Sequence, residues 1–145
     1  MTAATPQLDR PLLAAVLDRL IPAGDGFPGA GSIATDYVLT TAERDPTLAA
    51  LLAAGLAAVT VEAGGALFDV PDAEQDALLR RVEAAQPAFF DALVTHTYSG
   101  YYSNPLVQQL IGLEPGPPHP RGHLLEPTDW TILERVRALP PLYRE

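Results

Sequence analysis

Apolar residues recur along most of this chain with the 3.6-residue period of helices that bury one face. Leu12, Leu13, Val16, Leu17 and Leu20 form the first such stripe, with Asp9, Asp18 and Arg19 off it. Thr5-Pro6 has the form of an N-cap and first helical position, and Pro22 with the run Gly24–Gly29 ends this helix. Ser32 predicts the cap of a second helix reaching about Arg44, with Ile33, Tyr37 and Val38 inside. Asp45-Pro46 opens a third, rich in Ala and Leu, that Gly64-Gly65 ends. Asp72 and Gln75 have the capping-box spacing for a fourth helix with Leu78, Leu79 and Val82 inside. Gln86-Pro87 restarts the chain, and Phe89, Phe90, Leu93 and Val94 mark the inner face of a fifth helix. Asn104-Pro105 opens a short helix, Leu106–Ile111, closed by Gly112. Thr128 predicts the cap of a last helix to about Leu139, with Trp130, Leu133 and Val136 inside. Between these two, Leu113–Pro127 holds five prolines and two glycines, which predicts an extended loop. No segment reads as a convincing strand. The expected fold is all-α, a single-domain irregular bundle of six or seven helices over residues 1–145, with a long Pro-rich loop near the C-terminus.

Composition narrows the function more than the fold. The net charge of −9 and the absence of lysine disfavour nucleic acid and anionic membrane surfaces, since phosphate binding needs clustered cations. Without cysteine there is no disulfide, thiolate nucleophile or Cys-ligated cluster. The apolar run Leu48–Val61 carries Gly55 and Thr60, is bounded by Glu62, and reads as a buried or partner-facing helix rather than a membrane span. The segment Met1–Gln7 lacks a basic region followed by a long apolar run, so the expectation is a cytoplasmic chain, periplasmic only if a leader was removed or a partner directs export.

Motifs that usually carry chemistry lose their required context here. Gly24-Asp25-Gly26-Phe27-Pro28-Gly29 matches G-x-G-x-x-G, but a helix precedes it, proline interrupts it and no βαβ unit surrounds it. A glycine-rich connector is the better reading. His119 and His123 have an i, i+4 spacing, yet Pro120 and Gly122 deny them a common helix face, and no cysteine completes a metal set. Ser99 and Ser103 lie near His96 in sequence without a nucleophile elbow. No catalytic, cofactor-binding or metal site is assigned to this chain.

What remains is Thr97-Tyr98-Ser99-Gly100-Tyr101-Tyr102-Ser103-Asn104-Pro105. It holds three of the five tyrosines and the only asparagine. Tyrosine offers wide apolar area, a polar tip and few rotamers to freeze, which suits a contact surface. It suits equally a helix end whose rings fill the core, and the residues alone leave both readings open.

Two stretches also carry a resemblance. Asp18–Gly31 (DRLIPAGDGFPGAG) and Thr97–Pro105, with Leu110-Ile111-Gly112 and Pro117-Pro118-His119-Pro120-Arg121-Gly122, resemble the gluconate 2-dehydrogenase subunit 3 family, with similarity from Leu12 to about Leu124. The resemblance implies a small, helical, non-catalytic subunit. It would accompany a flavin-containing large subunit of the glucose–methanol–choline type that oxidises sugars, sugar acids or alcohols, so FAD is expected in the partner and no cofactor in this chain. Some complexes of the family add a multi-haem cytochrome subunit. Many members carry a twin-arginine signal for export and a Gly/Asn-rich stretch with a tryptophan after the tyrosine segment. Neither occurs here, where Leu106-Val107-Gln108-Gln109-Leu110 follows instead. The expected partner-binding residues are Tyr98, Tyr101, Tyr102, Asn104, Pro118 and Arg121, because aromatic and Arg side chains commonly carry interface energy. The alternatives are a stand-alone helical protein with a tyrosine-lined small-molecule pocket and, more weakly, a metal-assisted enzyme using His119 and His123.

Overall fold

Asp9 opens the first helix, its Oδ1 accepting the Leu12 N–H at 3.0 Å. This helix, α1, runs Arg10–Leu20, later than the Thr5-Pro6 start that the sequence pattern suggested. The computed structural model describes residues 6–116, 122 and 127–140. The remaining helices are α2 (Ala30–Ile33), α3 (Thr35–Arg44), α4 (Pro46–Ala63), α5 (Asp72–Ala85), α6 (Pro87–Tyr102), α7 (Pro105–Leu110) and α8 (Glu134–Arg137), with 3₁₀ turns at Leu67–Asp69 and Trp130–Leu133. The fold is all-α, and among the described residues the only β pairing is an isolated bridge between Gly24 and Phe27.

The chain forms two compact units, Met1–Pro115 and Gly116–Glu145. In the first, α6 is the hub and packs on α2, α3, α4, α5 and α7. Its inner face carries Phe89, Phe90, Leu93, Thr97 and Tyr101, all buried. Phe89 needs Gly55 opposite it on α4, where a Cβ would overlap the Phe89 ring carbons Cγ, Cδ2 and Cε2. The α4 helix matches its predicted bounds: Asp45 accepts the Thr47 and Leu48 N–H groups, and Gly64 ends it at φ +68°. By length and composition alone, the segment Pro46–Asp69 could cross a membrane. Here it packs on α3, α5 and α6, and its solvent face presents the small side chains of Ala50, Ala54 and Ala57.

Four local expectations need correction. The second predicted helix is two, broken at Ala34. Ser32 lies inside α2 rather than capping it, and its hydroxyl donates to the Gly29 carbonyl at 2.9 Å. Tyr37, expected inside, is 40% exposed, with part of its side chain covered by Gly100 on α6. At α5 the cap position is Pro71, and Asp72 is already helical. Gln75 is buried and donates to the Val70 carbonyl at 2.9 Å and the Asp72 carboxylate at 3.3 Å, so it ties down the preceding 3₁₀ turn instead of reaching back to a cap.

In the second unit the predicted last helix is a 3₁₀ turn followed by one short α turn. Asp129, not Thr128, caps it, accepting from both the N–H and hydroxyl of Thr131. The Thr131 hydroxyl, then its N–H, hold the Asp129 carboxyl below the usual carboxylate range. Trp130, expected inside, is 64% exposed, and Val136 is exposed with it. So short an element has no continuous apolar face to bury.

Candidate functional site

The glycine run after α1 is built around one carboxylate. Gly24 and Phe27 exchange both backbone hydrogen bonds, at 3.1 and 2.8 Å, across Asp25-Gly26. Both turn residues have positive φ, +50° and +84°, the signature of the two-residue hairpin that Asp-Gly favours. The chain then crosses back over α1. Asp18 Oδ1 accepts the Gly31 N–H at 2.7 Å, at the start of α2. Gly29, the cap residue, has no side chain to do this, so Asp18 caps α2 from another helix. A Cβ at Gly29 or Gly31 would strike that carboxylate, and at Gly31 the Ala14 carbonyl as well. The G-x-G-x-x-G pattern is accounted for by a hairpin and a borrowed cap.

The tyrosine segment meets this loop. Tyr101 is 2% exposed, and its hydroxyl donates to the Pro28 carbonyl at 2.7 Å. Burial, and secondarily the neighbouring Tyr102, push its phenol above the ordinary tyrosine range. Gly100 lets Tyr37 approach until a Cβ there would sit 2.9 Å from the Tyr37 side chain. The two sequence stretches that carried the resemblance are therefore joined by a hydrogen bond.

Tyr98 and Tyr102 point the other way, each 49% exposed. They are one helical turn apart, with ring centroids 6.0 Å from each other and tilted at 58°. Tyr102 also sets its ring edge-to-face with buried Tyr101, at 5.3 Å and 84°. Tyr102 thus rests on a ring that is itself anchored. Asn104 caps α7, its Oδ1 accepting the Leu106 N–H at 2.9 Å. Around this corner Leu106, Leu110, Ile111 and Leu113 are exposed. Residues 92–113 contain no Asp, Glu, Arg or Lys, although the chain is 19% charged.

Of the residues expected at an interface, Tyr98 and Tyr102 share one exposed face, Tyr101 lies in the core and Asn104 serves as a cap. Pro118 and Arg121 lie outside the described residues, as do His119 and His123. The exposed apolar residues of α7 were missed, and the charge-free run was the signal that would have found them. Ser99 and Ser103 direct their hydroxyls to the helix carbonyls of Thr95 and Gly100. His96 has a buried Nδ1 without a hydrogen-bond partner. Among the described residues no group of three or more His, Asp or Glu side chains is placed to hold a metal ion. An open cleft of about 500 Å³ lies beside Leu8, Leu39 and Ala49, with the Arg10–Asp36 ion pair at its wall, and its lining includes no tyrosine.

No curated protein and no solved structure matches the chain significantly. The family model for gluconate 2-dehydrogenase subunit 3 matches residues 7–116, which takes in both the loop around Asp18 and the tyrosine segment and ends one residue past the first compact unit. The chain belongs to the gluconate 2-dehydrogenase subunit 3 family.

Proposed function

We propose that this chain is a non-catalytic accessory subunit that binds a flavin-dependent large subunit of the glucose–methanol–choline type and stabilises it or helps it mature. FAD would reside in that partner, which oxidises a sugar, sugar acid or alcohol; a cytochrome subunit would extend some such complexes. Family membership supports a place in a dehydrogenase complex. The observation that carries the docking role is the Tyr98–Tyr102 pair: two large, half-exposed rings in contact, one of them set edge-to-face on buried Tyr101, within a run of sequence that lacks charged residues. Isolated exposed apolar residues are ordinary, but aromatic rings grouped where charge is depleted have the composition of an interface core. Leu106, Leu110 and Ile111 extend that surface, and Asn104, Pro118 and Arg121 belong to the proposal on sequence grounds.

The test is co-expression with the flavin-dependent large subunit of the same organism. The expected outcome is a yellow complex of both chains that survives size exclusion, with less soluble and less active flavoprotein when this chain is omitted. Separate elution, together with a flavoprotein equally soluble and active alone, would sink the proposal.

A further inference from the structure

The charge on this molecule is segregated. Residues 1–115 hold fourteen of the eighteen carboxylates and five of the nine arginines, so the whole net charge of −9 falls on the first unit. Three of those five arginines are already paired, Arg10 with Asp36, Arg19 with Asp76 and Arg81 with Glu62. The uncharged surface of α6 and α7 lies in this acidic unit, between Asp91 and Glu114 in sequence. Asp91 is exposed and sits seven residues before Tyr98, two helical turns away on the same face of α6. Along α6 and α7 the chain therefore sets an uncharged aromatic centre beside a carboxylate, with no arginine between Asp91 and Glu114 in sequence.

That pattern discriminates between occupants. A second copy docked on this face about a two-fold axis would bring together two units that each carry the net charge of −9. Like-charge juxtaposition across an interface costs several kcal/mol. A partner whose matching surface is an apolar patch rimmed by arginine or lysine meets the opposite field and gains attraction during approach. We propose that the Tyr98–Tyr102 face selects a non-self protein partner with a basic-rimmed apolar patch. The acidic unit steers encounter, and the rings hold the complex once formed. This rests on the reading that the chain docks a larger subunit, and it adds the chemistry of the surface that receives it.

Steering and holding separate kinetically. Rim charge acts mainly on the association rate and is screened by salt, because the Debye length shortens from about 30 Å at 0.01 M to about 3 Å at 1 M. Buried rings act mainly on dissociation. The experiment uses the full chain and the purified FAD-containing large subunit of the same organism on a biosensor, from about 20 mM to 500 mM NaCl. The association rate should fall at least tenfold across that range. Asp91→Arg should lower it at least threefold at low salt while leaving the circular dichroism spectrum unchanged. Tyr98→Ala with Tyr102→Ala should raise the dissociation rate at least tenfold. A complex whose association rate is flat or rises with salt overturns this inference and leaves the docking reading intact. Homodimers that require Tyr98 and Tyr102, seen by sedimentation at low salt, overturn it too. No complex at any salt concentration removes both.

Discussion

Replacing Tyr101 with Phe isolates the hydroxyl that joins the tyrosine segment to the glycine loop. The ring stays, so packing against Tyr102 and the core is kept, and only the 2.7 Å bond to the Pro28 carbonyl is lost. A typical buried hydrogen bond contributes about 0.5–1.5 kcal/mol net, and orphaning a buried acceptor costs about 1–3 kcal/mol. Pro28 is only half-buried, so water can partly replace the hydroxyl. The expected loss is about 1–2 kcal/mol, whereas Tyr101→Ala, which also empties the ring site, should cost about 3–5 kcal/mol. Tyr98→Phe and Tyr102→Phe, at half-exposed rings, should stay within about 0.5 kcal/mol of the parent. Urea unfolding followed by far-ultraviolet circular dichroism measures all four, with an unchanged m value confirming that the midpoint shift is stability. The same phenol predicts a pH dependence. Burial favours its neutral form in the folded chain, so its contribution is fully present below the unfolded tyrosine value near 10 and is lost as pH rises through the higher folded value. Tyr101→Phe should decline less steeply in that window. If Tyr101→Phe unfolds with the parent, or if Tyr98→Phe costs as much, the buckle between the two segments is wrong.

Two further substitutions probe the scaffold behind the face. Asp18→Ala removes the carboxylate that caps α2 at Gly31, and loss of such a cap should cost about 1 kcal/mol in the same urea assay. An unchanged midpoint would mean that the loop holds itself. Gly55→Ala should gain about 1 kcal/mol in helix propensity, yet the added methyl meets the Phe89 ring, and overpacking of about 1–3 kcal/mol should leave a net lower melting temperature. A raised one would show that Phe89 has room to move.

The helices were legible where local chemistry decides them. Asp45-Pro46 and Asn104-Pro105 each combine a capping side chain with a residue that tolerates the missing N–H, and both caps form as read. Ser32 failed because the cap came from Asp18, on another helix and thirteen residues before the Gly31 N–H it accepts, which no local window contains. Gln75 failed for a related reason: its amide found carbonyls of the preceding turn. Trp130, Leu133 and Val136 are spaced as an inner helical face, but periodicity states which residues would share a face and not that something covers it. At the tyrosine segment, composition pointed to core and interface equally, and the segment holds both buried and exposed rings. Helical spacing separates them: Thr97 and Tyr101 point inward one turn apart, and Tyr98 and Tyr102 outward.

The most direct measurement of the docking account is the affinity of the Tyr98→Ala, Tyr102→Ala double variant for the flavin-dependent large subunit, read beside its urea midpoint. The account predicts a stability within about 0.5 kcal/mol of the parent and an affinity lower by more than about 2 kcal/mol, roughly thirtyfold. Parental affinity with an unaltered fold would place the partner elsewhere on the molecule.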